Sequence, residues 1–127
     1  VANERSAVIR IGERDFELLL TTRATKDIAR RYGGLENLGA RLMKTENFEL
    51  ALDEIIWLIT LLANQCIMIQ NLKKQGEPED LLTGEEVELL TSPFELAAYK
   101  DAIMEAMYKG TKRNVASEEE SKNVQTG

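Results

Sequence analysis

Residues 48–72 read FELALDEIIWLITLLANQCIMIQNL. The stretch holds neither Gly nor Pro and is long enough for roughly seven turns at 3.6 residues each. Its middle, Ile55 to Ile69, is interrupted only by Thr60, Asn64 and Gln65. A helix apolar nearly all round is either a core helix or a membrane span. On a helical wheel Asp53, Thr60, Asn64 and Asn71 share one narrow polar sector. Ile55, Leu58, Ile59, Leu62, Cys66 and Ile69 centre on the far side. The apolar run is about 15 residues where a span needs roughly 20, and Glu54, Asn64 and Gln65 would have to lie in lipid. The expectation is a central core helix with a thin wet edge and a wide dry face, and no membrane.

What can cover that face lies on either side of it. Upstream, AVIRI (Ala7–Ile11) and DFELLL (Asp15–Leu20) flank Gly12–Arg14, which predicts a β-hairpin with a short loop. Thr21 and Thr22 offer N-cap hydroxyls for a helix through RATKDIARRY, with Ala24, Ile28 and Tyr32 on one face and Gly33–Gly34 as its stop. A second short helix, LENLGARLMK, puts Leu35, Leu38 and Leu42 on a stripe, with Gly39 inside it, and Thr45–Asn47 can cap the long helix. Downstream, QGEPEDLLTG reads as a loop and Glu85–Leu90 as a short acidic helix. Ser92-Pro93-Phe94-Glu95 forms a capping box with Pro at N1. That last helix is predicted to end at Gly110, with Leu96, Tyr99, Ile103, Ala106 and Met107 on its apolar face. The fold class is α+β, mostly α: a short N-terminal β-hairpin and then a bundle of about four to five helices around one long central helix. Residues 1–110 form the single domain, and 111–127, without apolar period, a disordered charged tail.

The chain has 127 residues, a formal net charge of −6 and a pI of about 4.8. The charge is uneven: from Glu77 to Glu105 there are nine acids and one base, Lys100. Such a chain has no general attraction to phosphate backbones or anionic lipid. It contains no histidine and one cysteine, Cys66. That excludes Cys/His zinc patterns and Ser–His or Cys–His dyads, and an internal disulfide. A lone buried-helix cysteine fits a reducing compartment. The opening VANERSAVIR shows no secretory leader. The carboxylate groups Asp53/Glu54, Glu77/Glu79/Asp80 and Glu85/Glu86/Glu88 lack calcium-loop spacing and read as solvated acidic faces. No catalytic, metal or cofactor site is expected. Candidate partner contacts are the basic cluster Arg23, Lys26 and Arg30, then Trp57, Tyr99 and Met107. Trp57 reads as core or as a contact hot spot.

One longer pattern runs through these elements. Tyr32-Gly33-Gly34-Leu35-Glu36-Asn37-Leu38 joins two helices, and Ile55-Ile56-Trp57-Leu58 opens the apolar part of the long one. With the hairpin ahead of them and a charged end behind, residues 7–72 resemble the tail assembly chaperones of long-tailed bacteriophages and prophages. The resemblance implies a non-enzymatic helper without cofactor. It would bind the tape measure protein, recruit tail tube subunits, self-associate, and work in the host bacterial cytoplasm without staying in the finished virion. It also makes a frameshifted longer product an expectation. The rival reading is a small DNA-binding or regulatory module using the 22–44 helix pair, with Asn37, Arg41 and Lys44 as its readers of base edges.

Overall fold

The computed structural model describes residues 6–34, 36–38, 48–73 and 76–126, with side chains for 49–111 of the last two stretches and for the first two. Two strands, β1 (Ser6–Ile11) and β2 (Arg14–Leu19), pair antiparallel in the register Ile9↔Phe16 and Ile11↔Arg14. The turn is therefore Gly12–Glu13, one residue shorter than the sequence suggests. Gly12 has φ 63°, the positive value that a two-residue hairpin loop needs at its first position. Ala7, Ile9, Ile11, Phe16 and Leu18 all face inward and are buried. Each contributes roughly 1.5–3 kcal/mol on burial if it is Ile, Leu or Phe sized, which is what a two-stranded sheet, marginal in water by itself, requires.

Helix α1 (Thr22–Tyr32) starts where Thr21 Oγ1 accepts the Ala24 N–H at 3.1 Å and stops at Gly33, φ 84°. The following turn is tied by Asn37 Nδ2–H donating to the Tyr32 carbonyl at 2.8 Å. Residues 36–38 are helical and Leu38 is buried. The readings at Leu35, Gly39, Leu42 and Thr45–Asn47 lie outside the described residues. Helix α2 (Phe48–Leu72) is the long central helix. Ile55, Leu58, Ile59 and Leu62 are buried on it as the wheel requires, and Cys66 and Ile69 are half-buried. β2, α1 and two later helices all pack on α2.

Those later helices are α3 (Gly84–Leu90) and α4 (Pro93–Thr126). Both begin with capping boxes. Thr83 and Glu86 exchange side-chain to backbone bonds at 3.1 and 3.0 Å, and Ser92 and Glu95 do so at 3.3 and 3.1 Å. α4 lies across β1 and α2, placing Leu96, Tyr99, Ile103, Ala106 and Met107 in the core. It does not stop at Gly110. The backbone stays helical to Thr126, so the stretch read as a disordered tail continues the last helix. Gly110 is buried there, and a Cβ on it would stand 3.0 Å from Leu20 Cβ. A glycine inside a helix at a close contact carries the same letter as a C-cap glycine, which explains the misplaced boundary.

By length and composition α2, from Glu49 to Leu72, is the one helix among the described residues that could cross a membrane, and 50% of its most apolar window is buried in the fold. Its polar side chains Glu54, Asn64 and Gln65 are buried and bonded to other elements. That is the pattern of a core helix.

Candidate functional site

The polar sector of α2 is wet at Asp53, which is exposed, but covered at Asn64 and Asn71. Residues 78–83 cross the Asn64–Asn71 part of it as a strap. Asn64 donates Nδ2–H to the Leu82 carbonyl at 2.8 Å and accepts the Leu82 N–H on Oδ1 at 2.7 Å. Asn71 makes the same pair with Glu79 at 3.1 and 3.0 Å. The two asparagines sit seven residues apart on the helix, about 10.5 Å at 1.5 Å per residue. Glu79 and Leu82 are three residues apart, about 10 Å in extended chain. The strap thus runs antiparallel to α2 and in step with it. Leu82 fills the core and Glu79 reaches Arg14 of the hairpin at 2.9 Å, while Leu81 is left outside, 44% exposed.

On the other flank of α2, α1 is fastened through two polar groups. Thr21 Oγ1–H donates to Gln65 Oε1 at 2.5 Å, and Gln65 Nε2–H returns to the Leu61 carbonyl at 2.9 Å. At the far end the Tyr32 hydroxyl donates to buried Glu54 Oε2, which Arg31 also reaches through Nε at 3.3 Å. Burial, and then the bond to the Glu54 carboxylate, pushes Tyr32 up to about 12. Arg31 stacks on Trp57 at 4.4 Å from the ring centroid, and Tyr32 meets the same ring edge-on at 6.0 Å. Glu54 therefore belongs to a buried network and not to a solvated acidic face.

Between α1 and the strap a row of α2 side chains is only partly covered by other described residues: Trp57, Leu61, Met68 and Leu72. The first three are half-buried, and Leu72 is 81% exposed. Two adjoining hollows of about 730 Å³ and 330 Å³ lie along this row, sharing Arg23, Gln65, Met68 and Leu81 in their linings. They form one groove with an apolar floor, α1 as one wall and the strap as the other. Arg23 leans across it, its Nη1 3.6 Å from Met68 Sδ.

The residues proposed for partner contact divide. Trp57 and Arg23 line the groove. Arg30 stands exposed on the same α1 face as Arg23 and pairs with Asp27 at 3.2 Å. Lys26 is exposed but turns to the opposite flank of α1, beside Leu20 and Gly110. Tyr99 and Met107 are a correction. They are 8% and 6% exposed, and the Tyr99 hydroxyl donates to the Arg10 carbonyl. They hold α4 to the hairpin and the core, as their place on the inner face of α4 dictates. Leu61, Met68, Leu72 and Leu81 were missed, because nothing in a wheel of α2 alone shows which apolar residues its neighbours leave bare.

Among the described residues no cluster of three or more His, Cys, Asp or Glu could hold a metal ion. The helix that the DNA-binding reading would send into a groove is described only at residues 36–38. No family model, no curated protein and no solved structure matches this chain.

Proposed function

We propose that this protein is a non-enzymatic binder of apolar helical protein segments, and that it serves as a phage tail assembly chaperone. In that role it shields a helical stretch of the tape measure protein in the host cytoplasm and brings tail tube subunits to it. The observation that carries the binding part is the partly open row Trp57, Leu61, Met68 and Leu72 between α1 and the strap. A helix laid on it meets the contact spacing of a helix-in-groove complex. The specific client rests on the sequence resemblance at Tyr32–Leu38 and Ile55–Leu58. The test is co-expression with the tape measure protein encoded beside this chain. The expected result is a client that becomes soluble and co-purifies, and that is lost with Leu72→Glu or Leu81→Glu, both at exposed positions of the groove, in a chain that keeps its thermal midpoint. A client equally insoluble with and without this chain defeats the proposal.

A further inference from the structure

The two edges of the hairpin are covered unequally. With Ile11 opposite Arg14 across a two-residue turn, Ile9 with Phe16 and Ala7 with Leu18 are the hydrogen-bonded pairs. The N–H and C=O groups of Ser6, Val8 and Arg10 therefore point outward along β1, and those of Asp15 and Glu17 outward along β2. On the β1 side α4 supplies partners. The Tyr99 hydroxyl donates to the Arg10 carbonyl, and Lys109 Nζ donates to the Ser6 carbonyl at 3.0 Å. On the β2 side no hydrogen bond from another described residue reaches the outward backbone groups of Asp15 or Glu17. Asp15 is exposed and Glu17 half-buried. Beside them lies a hollow of about 490 Å³, floored by Ala63, Cys66, Ile67 and Gln70 of α2. It shares no lining residue with the two hollows of the groove.

We infer that the β2 edge takes an extended protein segment as a third strand, one that carries basic residues at alternate positions. An unpaired strand edge is a template for another chain. Main-chain bonds supply the attachment, and alternate side chains supply the choice of partner. Residues directly opposite one another in a sheet turn their side chains to the same face. The residues set against Asp15 and Glu17 therefore lie beside two carboxylates on the outer face. Among the described residues Glu17 has no ion-pair partner, its contact being the Cys66 thiol, which donates to Oε2 at 3.4 Å. Asp15 meets Arg10 at 3.1 Å in an exposed pair, which is of little strength. Arg14 is the one base lining the hollow, and Glu79 already holds it at 2.9 Å. Lysine or arginine is thus favoured at both places. The residue between them, opposite Phe16, turns toward the hollow and is apolar. The same acids bar a second copy. Two β2 edges joined antiparallel would bring Asp15 and Glu17 of both copies face to face, and like charges so placed repel. About five residues of extended chain, roughly 17 Å, suffice. This surface is separate from the groove and goes beyond the function proposed above.

The probe is a capped peptide of alternating lysine and valine, about six residues and roughly 20 Å long when extended. One companion carries glutamate for lysine, and another carries a methyl group on every backbone nitrogen. Each is added to the full chain at low ionic strength, and exchange of backbone amides with water is read by NMR. In the free chain the Asp15 and Glu17 amides should exchange fast, while those of Phe16 and Leu18, bonded to β1, exchange slowly. The lysine peptide should slow Asp15 and Glu17 by at least about tenfold at saturation and leave Phe16 and Leu18 as they were. A peptide held by its side chains alone does not produce that alternation. Affinity should fall as salt is added. It should fall by about threefold or more in Glu17→Lys, with an unchanged thermal midpoint showing that the variant is folded. The methylated peptide should not bind. If the lysine peptide binds without slowing Asp15 and Glu17, or the methylated one binds as well, no third strand forms and the inference is wrong. If the glutamate peptide binds equally, the basic occupant is wrong. If no peptide binds, the inference fails. It fails also if the two amides are slow in the free chain and speed up on dilution, because a second copy then holds the edge. Each of these failures leaves the groove from Trp57 to Leu72 untouched.

Discussion

Asn64→Ala is the most direct test of how the groove wall is held. Asn64 is 8% exposed and Leu82 5% exposed, and both bonds between them are short, 2.7 and 2.8 Å. Truncation leaves the N–H and the C=O of Leu82 without a partner in a largely dry place. Each orphaned group costs roughly 1–3 kcal/mol. Asn64 also lines the smaller hollow, so water can reach part of the gap, and the expected loss is about 2–4 kcal/mol in all. Asn71→Ala removes the same pair of bonds from Glu79, but Glu79 is exposed. Water replaces both bonds there, and the loss should stay under about 1 kcal/mol. A chain of this size has roughly 0.05–0.15 kcal/mol of stability per residue. Both variants should therefore fold, and the difference should be readable by urea denaturation. Hydrogen exchange at the Leu82 amide should speed up strongly in Asn64→Ala and little in Asn71→Ala. Equal losses, within about 0.5 kcal/mol of one another, would show that the strap is held by Leu82 packing and not by the asparagine.

Other consequences are checked as readily. Gly110→Ala should destabilise by about 1 kcal/mol. Helix propensity gains roughly 1 kcal/mol, but the new Cβ meets Leu20 Cβ at 3.0 Å, an atom too near its backbone to swing away, and such overpacking costs roughly 1–3 kcal/mol. A gain in thermal midpoint would refute the close approach. Trp57→Ala should cost about 1–2 kcal/mol in thermal denaturation, from the Tyr32 edge contact and the Arg31 stack. An unchanged midpoint would mean that the ring serves partners only. Tyr32 is held up to about 12 in the folded chain against an ordinary 10.0. A folded-state value above the unfolded one means the contribution is intact below about pH 10 and disappears as pH climbs through about 12. Burial also pushes the Tyr99 phenol up, so ultraviolet titration should show late phenols, of which Tyr32→Phe removes one, and wild type should lose more stability than Tyr32→Phe across that window.

How much of this could be read from the letters depends on what each signal encodes. Alternation in Ala7–Ile11 and around Phe16–Leu18 encodes a face, and the hairpin duly turns that face inward. The Ser92–Glu95 box encodes a helix start by local bonding alone, and it holds. The Thr83–Glu86 box has the same spacing and is equally legible; the sequence reading places a short helix at Glu85–Leu90, one residue inside the observed Gly84 start, without naming the box that opens it. Glu54 was beyond reach, because its partners Arg31 and Tyr32 are 23 and 22 residues away, and its neighbour Asp53 is an exposed acid. The polar sector of the long helix is the instructive case. Periodicity identified Asn64 and Asn71 as one stripe but could not say what faces it, and an uncovered polar stripe defaults to water. Asparagine, however, is a poor choice for a merely solvated helix position. Its side chain competes for backbone bonds, and two of them two turns apart match the repeat of an extended chain about three residues long. The segment able to satisfy both was present a few residues on, apolar at Leu81–Leu82, proline-broken and without a period of its own. A polar stripe of asparagines on a core helix, followed at once by such a segment, is better read as a docking rail than as a wet edge. It is this rail that, among the described residues, gives the row beside it at Leu61, Met68 and Leu72 its second wall.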